Sequence, residues 1–238
     1  MNKLRRWLPV GGAVTLLLTQ MWLCYAQVPR PTPKQIEAQP GEFVIAQLKY
    51  SGGGDWYANP SALPNLLAFA KSKANLACAE RAATVMLDSP DLWRYRYLYI
   101  TGHGNIALTT EEARNLRDWL EAGGFLHADD NYGLDGSFRR EMKKVFPEQD
   151  LKEVPADHPI YQKPFRFADG RPPKIHEHDG KPAQGFGWWI DGRLAVYYTY
   201  QCDLGDGWED PDVHHDPEPV RQAALQMGTN LLVYALTN

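Results

Sequence analysis

The middle of the chain alternates between a short apolar run and helically spaced apolar residues. Residues 97–100 are aromatic or branched and lead into a loop that holds His103 between two glycines, as a buried parallel strand does at its ligand-side end. Thr109 and Glu112 then form the pattern of a capping box, and apolar positions follow with helical spacing. Gly123 is placed to end the helix in the left-handed conformation. The pattern therefore predicts a strand, a loop and a helix.

A second strand follows this helix. The chain re-enters an apolar run at residues 124–126 and ends on the polar stretch HADDN at residues 127–131. Two parallel strands joined by a helix bring their carboxyl ends to the same edge of a sheet, where open α/β sheets bind ligands. We therefore expect the loops at His103 and Asp129 to lie close together.

Other segments extend the same α/β pattern. A first strand is predicted at residues 42–50, and it ends at a glycine-rich loop, residues 51–57, before a helix near residues 61–75. A short strand at residues 83–87 is expected at an edge of the sheet. A helix beginning at Ser137 should face the core after a polar loop.

The last third contains an irregular stretch, a hairpin and a helix. Residues 150–185 are rich in proline, glycine and polar residues, and loops of this length are often functional. Residues 187–200 predict a β-hairpin with Asp191-Gly192 as a type I′ turn. Asp216 is placed as the N-cap of the final helix. The fold class expected is α/β, a three-layer sandwich with a mainly parallel sheet.

The first residues have the pattern of an export signal. A basic start precedes an apolar stretch, residues 7–23, and a small-x-small cleavage motif ends at Ala26. An uncleaved anchor is the competing hypothesis, because a membrane span needs roughly 20 apolar residues. A lipoprotein cysteine at Cys24 is disfavoured by Leu23. We expect a signal peptide at residues 1–26, a proline-rich linker at 27–41, one domain at 42–238, and a periplasmic or cell-envelope location.

Composition limits the partners. The net charge is −4 and no basic run follows the leader, so no nucleic-acid surface is expected, and a membrane is a partner only if the leader is uncleaved. The loop at residues 51–57 lacks phosphate-binding patterns and carries Asp55, which repels anions, so we expect no cofactor. Cys78 and Cys202 could pair in an oxidising compartment or remain buried thiols. Neither is expected on the strand-to-helix elbow that a nucleophile requires.

Four clusters could carry chemistry. They are residues 102–104; His127 with Asp129, Asp130 and Asn131; His176 and His178 with Asp179; and the acidic segment of Asp203, Asp206, Trp208, Glu209 and Asp210. The acidic segment is expected to lie beside residues 127–131 if the strand that precedes it runs parallel to the two central strands.

Each cluster has a functional and a structural interpretation. Asp129 and Asp130 could act as general acid and base, or bind a divalent cation with Asp203 or Asp206, yet Asp-Asp-Asn is also common in turns. His176 and His178 alternate on an extended segment and could face one side as metal ligands. His214 and His215 are expected to be exposed. The acidic segment is expected as a solvated loop in which Trp208 suits a sugar-like ligand.

The chain resembles the bacterial DUF4159 family, a domain of unknown function. The resemblance rests on a strand ending in TGHG, then LTTEEARNLRDWLEAGGFLHADDN, then DGRLAVYYTYQCDLGDGWED, and it covers residues 43–236. That family is similar to flavodoxin-like, class I glutamine amidotransferase-like folds, including the ThuA-like group. In those folds the strand after the GG turn leads to the nucleophile elbow, a place held here by Ala128, Asp129 and Asp130. The resemblance also marks Asp203, Gly205, Gly207 and Trp208 as signature positions.

These observations favour a non-catalytic ligand-binding or interaction domain of the cell envelope. Its partner would be a small polar ligand or an envelope protein, bound by Asp55, Trp56, Tyr57, His103, Asp129, Asn131, Asp203, Asp206 and Trp208. The alternative is a hydrolase, metal-assisted or not, acting on a polar or sugar-like substrate with His103, Asp129 and Asp130 as catalytic candidates. That alternative requires Asp129 and His103 to share a hydrogen bond or a water.

Overall fold

A computed structural model of the protein describes residues 42–238. Seven strands form one sheet: β1 (Ile45–Leu48), β2 (Ala83–Val85), β3 (Tyr97–Ile100), β4 (Phe125–Asp129), β5 (Lys152–Glu153), β6 (Gln184–Ile190) and β7 (Arg193–Tyr200). Six α-helices accompany it: α1 (Ala62–Ala74), α2 (Thr110–Glu121), α3 (Asp135–Val145), α4 (Leu204–Trp208), α5 (Pro211–His214) and α6 (Glu218–Thr237). Single 3₁₀ turns occupy Pro90–Arg94 and Pro159–Tyr161.

The sheet is mixed and mostly parallel. Its order is β2-β1-β3-β4-β7-β6-β5, and the first five strands of this order run parallel to their neighbours. Strands β6 and β5 extend the sheet in antiparallel fashion. The parallel part has the strand order of flavodoxin-like domains, whose order reverses between β1 and β3. The predicted α/β class is confirmed.

Helices cover both faces of the sheet and create two apolar cores. On one face, Leu66 of α1 and Leu231 of α6 pack with Tyr97 and Tyr197 from the sheet. On the other face, Leu116 and Trp119 of α2 and Phe138 of α3 pack on sheet residues such as Leu98 and Val196. The central strands are apolar on both faces because each face is covered, as buried parallel strands require.

Local sequence signals account for several element boundaries. Thr109 Oγ1 accepts a hydrogen bond from Glu112 N–H and the Glu112 carboxylate accepts one from Thr109 N–H, which confirms the capping box of α2. Asp191 and Gly192 both have positive φ, of 50° and 82°, and connect β6 to β7. This is the type I′ turn that the sequence predicts.

Three expectations are wrong, two about where helices begin and one about the acidic segment. Helix α3 begins at Asp135, two residues before the predicted start at Ser137. Helix α6 begins at Glu218 after Pro217, and no side chain caps it, so Asp216 is not its N-cap. The acidic segment after β7 is the short helix α4 rather than a solvated loop, because the side chains of Leu204 and Trp208 are buried in the core.

The predictions for the leader and the linker lie outside the described residues. From residue 42 onward, no helix combines the length and apolar character needed to cross a bilayer.

The capping box gives a direct test of local stabilisation. We expect Thr109→Ala to lower the free energy of unfolding by about 1 kcal/mol, because the N–H of Glu112 loses its acceptor at the helix start. The adjacent Thr110→Ala is the matched control, since Thr110 is exposed and begins the helix without capping it. Urea unfolding monitored by circular dichroism measures both. An equal effect of the two substitutions would contradict the capping role.

Candidate functional site

The carboxyl ends of β4 and β7 bring together the second and fourth candidate clusters. Strand β7 runs parallel to β4, with Asp129 paired to Thr199 in register. This parallel pairing is the condition under which the two clusters were expected to meet. The segment beginning at Asp203 accordingly lies beside Asp129. Its backbone N–H groups at Leu204 and Gly205 point at the Asp129 carboxylate.

Asp129 has no exposed surface and accepts three hydrogen bonds. Thr199 Oγ1 and Leu204 N–H donate to Oδ1, and Gly205 N–H donates to Oδ2 at 2.7 Å. Burial raises the pKa of Asp129, and the hydrogen bonds from Thr199 and Gly205 oppose that shift by favouring the charged form. The carboxylate thus caps the first turn of α4 from a neighbouring strand.

A hydrogen-bonded chain continues from Asp129 into the core. His127 Nε2 lies 3.1 Å from Thr199 Oγ1, and His127 Nδ1 lies 3.1 Å from the Tyr97 hydroxyl. Burial lowers the pKa of His127 to about 3, so the ring is neutral. Every donor is satisfied when Tyr97 donates to Nδ1, Nε2–H donates to Thr199, and Thr199 donates to Asp129. His127 therefore supports the position of Asp129 from inside the sheet.

Gly205 lies in close contact with its neighbours where α4 meets the sheet. A Cβ at this position would lie 2.8 Å from both Asn59 Nδ2 and the Tyr99 hydroxyl, and 3.3 Å from Asp129 Oδ2. The side chains of Asn59 and of the buried Tyr99 would have to shift to admit any larger residue. This close contact gives a steric reason for glycine at position 205, which the resemblance marks as a signature position.

Beyond α4, carboxylates and imidazoles gather into what we call the acid–imidazole cluster. Its members are Asp203, Asp206, Glu209, Asp216, His176, His178 and His214. The histidines come from the irregular stretch before β6 and from α5, and Ile175 N–H is bonded to the carbonyl of Cys202 at the end of β7. That backbone bond brings the histidine segment against the strand end.

The contacts inside the cluster are dense. His176 places Nδ1 at 3.0 Å from Asp206 Oδ2 and Nε2 at 3.2 Å from Asp216 Oδ1. His178 Nε2 is hydrogen-bonded to Asp203 Oδ2. His214 Nε2 lies 3.1 Å from Glu209 Oε2 and 3.8 Å from Asp206 Oδ1. The side chains of His176, His178 and His214 are 26%, 24% and 29% exposed, so solvent reaches the cluster.

The cluster is rich in hydrogen-bond acceptors. From residue 42 onward, no lysine or arginine forms a salt bridge with any of its four carboxylates. Asp203, with a side chain only 2% exposed, has a pKa raised to about 8, first by burial and then by the charge of Asp206. Its Oδ1 makes no hydrogen bond within the described part of the chain. An arrangement of this kind favours a positively charged occupant.

A separate group of candidates lies at the ends of β1 and β3, where the strand order reverses. His103 Nδ1 is 3.0 Å from Asp55 Oδ2, and the backbone N–H of His103 donates to Asp55 Oδ1. The imidazole is 56% exposed. Asp55 therefore positions His103. The hydrogen-bond partners of His103 and Asp129 differ, and within residues 42–238 the two side chains share no hydrogen bond.

The aromatic candidates occupy different environments. Tyr57 is 65% exposed and meets the half-buried Trp56 edge to face. Trp208 has no exposed surface, donates Nε1–H to the Ala224 carbonyl and packs on Tyr99 and His127. Trp208 thus anchors α4 in the core, and its ring is closed to a ligand.

Within residues 42–238 both cysteines, Cys78 and Cys202, are free thiols, and one expectation about them is wrong. Cys202 does lie on a strand-to-helix connection, between the end of β7 and the start of α4. Its thiol has no exposed surface and lies 3.2 Å from the Tyr200 carbonyl. Burial raises the pKa of Cys202 well above its ordinary value, which disfavours the thiolate that a nucleophile needs.

Sequence analysis missed several members of the site. Asn59, from the loop after β1, donates to Asp206 Oδ1 at 2.6 Å, beside the predicted Asn131, which donates to the same oxygen at 3.3 Å. Tyr132 is half exposed and stacks on His178 at 4.6 Å between ring centroids. Asp216 and His214 were interpreted as a cap and an exposed residue. Only the positive φ of Asn59 and Tyr132, 60° and 55°, distinguishes these positions locally, and it is not visible in sequence.

Substitution of Asp129 tests its capping role. We expect Asp129→Asn to lower the free energy of unfolding by about 1–3 kcal/mol. The asparagine amide replaces one acceptor oxygen by an NH2 group, so at least one of the three donors would face another donor instead of an acceptor. The control is Asp130→Asn, also buried, which keeps an oxygen for its single backbone donor at Leu134. Urea unfolding measures both variants. A loss at position 130 as large as at 129 would contradict this account.

Comparison with known proteins gives one assignment. No curated protein matches the sequence. The model of the family described as "Domain of unknown function (DUF4159)" matches residues 44–236, which span β1 to α6 and all the site residues described above. The chain therefore belongs to the DUF4159 family.

Proposed function

We propose that this chain is a ligand-binding domain of the cell envelope, and that it binds a cationic ligand at the acid–imidazole cluster. The observation that carries the proposal is the gathering of four carboxylates around three partly exposed imidazoles, with no lysine or arginine paired to those carboxylates from residue 42 onward. A site of this charge attracts cations and repels phosphates and carboxylates. The export pattern at residues 1–26 supports the cellular location.

The second part of the proposal is that the domain lacks an acyl-enzyme nucleophile. In the amidotransferase-like folds that the resemblance implies, the nucleophile follows the strand that here is β4. That place holds Asp129, whose carboxylate is fully buried and occupied by three donors. Cys202, on the other strand-to-helix connection, is enclosed. These positions support binding over acyl transfer.

A partly exposed aromatic ring lies beside the cluster. Tyr132 is half exposed and stacks on His178, so it offers a flat aromatic surface beside the carboxylates. Aromatic faces attract cations, and neighbouring carboxylates add to that attraction. A metal ion or a small organic cation meets both conditions.

Thermal unfolding against a ligand panel tests this proposal. We expect divalent metal ions or small organic amines to raise the midpoint and the matched acids to leave it unchanged, since a ligand that binds only the folded state stabilises it. Asp206→Asn should abolish the shift, because this carboxylate lies at the centre of the cluster. Asp212→Asn is the control, as Asp212 is exposed on α5. Shifts with anions alone, or equal shifts in both variants, would overturn the proposal.

A hydrolase is the second candidate, and one contact favours it. The buried Asp203 carboxylate is hydrogen-bonded to Nε2 of the partly exposed His178, a carboxylate–imidazole pair of the kind that orients a general base. The pair that the sequence predicts, Asp129 with His103, has different partners.

Activity measurements separate this candidate from binding alone. If the hydrolase is correct, the protein turns over at least one class among chromogenic esters, phosphate esters and glycosides, and His178→Gln lowers kcat by about 100-fold or more, the range of a lost general base. His215→Gln is the control, because His215 is exposed and lies outside the cluster. Turnover retained in His178→Gln, or none with any class, contradicts the candidate.

A further inference from the structure

We propose that His176, Asp206 and His214 bind one divalent transition-metal ion, with zinc as the representative metal. This proposal rests on the acid–imidazole cluster being a cation site and names the ion class and its ligands. The three side chains each offer one ligand atom, and these atoms all lie within 4.8 Å of one another.

The distances match the spacing of ligands around a single ion. Zinc lies about 2.0–2.2 Å from nitrogen and oxygen ligands, so two ligands at a tetrahedral angle are about 3.4 Å apart. His176 Nδ1 and Asp206 Oδ2 are separated by 3.0 Å, and His214 Nε2 and Asp206 Oδ1 by 3.8 Å. The two distances reach different oxygens of Asp206, and one ligand atom from each residue lies within 4.8 Å of the others, so side-chain adjustments on the order of 1 Å bring three ligand atoms onto one ion.

The residues around these ligands have the arrangement of an outer coordination shell. His176 Nε2 lies 3.2 Å from Asp216 Oδ1, so in the metal-bound form Nε2–H can donate to Asp216 while Nδ1 is the ligand atom. The Asp206 carboxylate is oriented by the amides of Asn59 and Asn131. Ligands that are themselves hydrogen-bonded in this way are typical of protein metal sites.

Unpaired oxygen atoms give an independent observation. Asp203 Oδ1 and Asp216 Oδ2 are buried and form no hydrogen bond within the described residues, on side chains only 2% and 9% exposed. The same Asp203 carboxylate reaches within 3.6 Å of His176 Nδ1 through its other oxygen. Buried acceptors without donors are costly unless a cation satisfies them. A divalent ion at His176 supplies the missing positive charge.

The ligand types select the metal class. Calcium and magnesium prefer sites made only of oxygen ligands, whereas imidazole nitrogens favour zinc and its transition-metal neighbours. Two histidines and one carboxylate are a common zinc set, and they leave a fourth position open for a further ligand. Glu209 Oε2 is 3.1 Å from His214 Nε2 and is therefore the nearest additional carboxylate to that ligand.

Titration of the chelator-treated protein with Zn²⁺ tests the proposal, with affinity and stoichiometry read by calorimetry. We expect one zinc ion per chain. His176→Asn and His214→Asn should each weaken binding by at least about 100-fold, since removal of an outer-shell partner alone costs 10- to 100-fold. His215→Asn should bind zinc as the wild type does, because it removes the adjacent exposed imidazole, and asparagine tolerates its positive φ of 58°.

Three results would overturn the assignment: no zinc uptake by the wild type, equal affinity in all the histidine variants, or tighter binding of Ca²⁺ or Mg²⁺ than of Zn²⁺. Circular dichroism of each chelated variant shows that a lost site reflects a lost ligand and not a lost fold. Visible absorption of bound Co²⁺ gives a second readout, which should report nitrogen and oxygen ligands and change in His176→Asn. If the wild type takes up organic amines but no metal, this inference fails while the proposed cation-binding function survives. If neither binds, both fail.

Discussion

The buried carboxylate of Asp129 is the interaction on which the arrangement of the site depends. It ends β4, has no exposed surface, and accepts hydrogen bonds from Thr199 on β7 and from the first two backbone N–H groups of α4. Because Asp129 accepts hydrogen bonds from the first turn of α4, the carboxylates of Asp203 before that turn and of Asp206 within the helix are fixed relative to the sheet. Asp129 was expected to contact a ligand. Its buried position instead makes it a support for Asp203 and Asp206.

The fold offers two places for a ligand. Topology favours the reversal of strand order between β1 and β3, whereas side-chain chemistry favours the acid–imidazole cluster. The strand order reverses between β1 and β3, and ligands of open α/β sheets commonly bind at such a reversal. The groups there are the exposed pair of Asp55 and His103. The larger collection of partly buried charge lies two strands further, beyond β4 and β7. Fold class therefore predicts at which edge of the sheet a ligand would bind, while the position along that edge depends on side-chain chemistry.

Local signals made much of the fold predictable. Strand β3, the capping box at Thr109 and the turn at Asp191 were all inferred from patterns of a few residues, because propensity and capping act over that range. The cluster was only half visible, since His176, Asp206 and His214 come from three segments separated by an irregular stretch and a hairpin. The segment of His176 reaches Asp206 through the backbone bond between Ile175 and Cys202, a tertiary contact that no local pattern encodes.

Repulsion between the carboxylates of the acid–imidazole cluster opposes folding when no cation is bound. The four carboxylates of the cluster, each in contact with an imidazole, repel one another when nothing positive lies between them. Part of this cost is met by protonation, as the raised pKa of Asp203 indicates. A bound cation removes the remainder, and its binding free energy then adds to that of folding. The network through Asp129, Thr199 and His127 keeps the carboxylates in place against their repulsion, because it is buried and fully hydrogen-bonded.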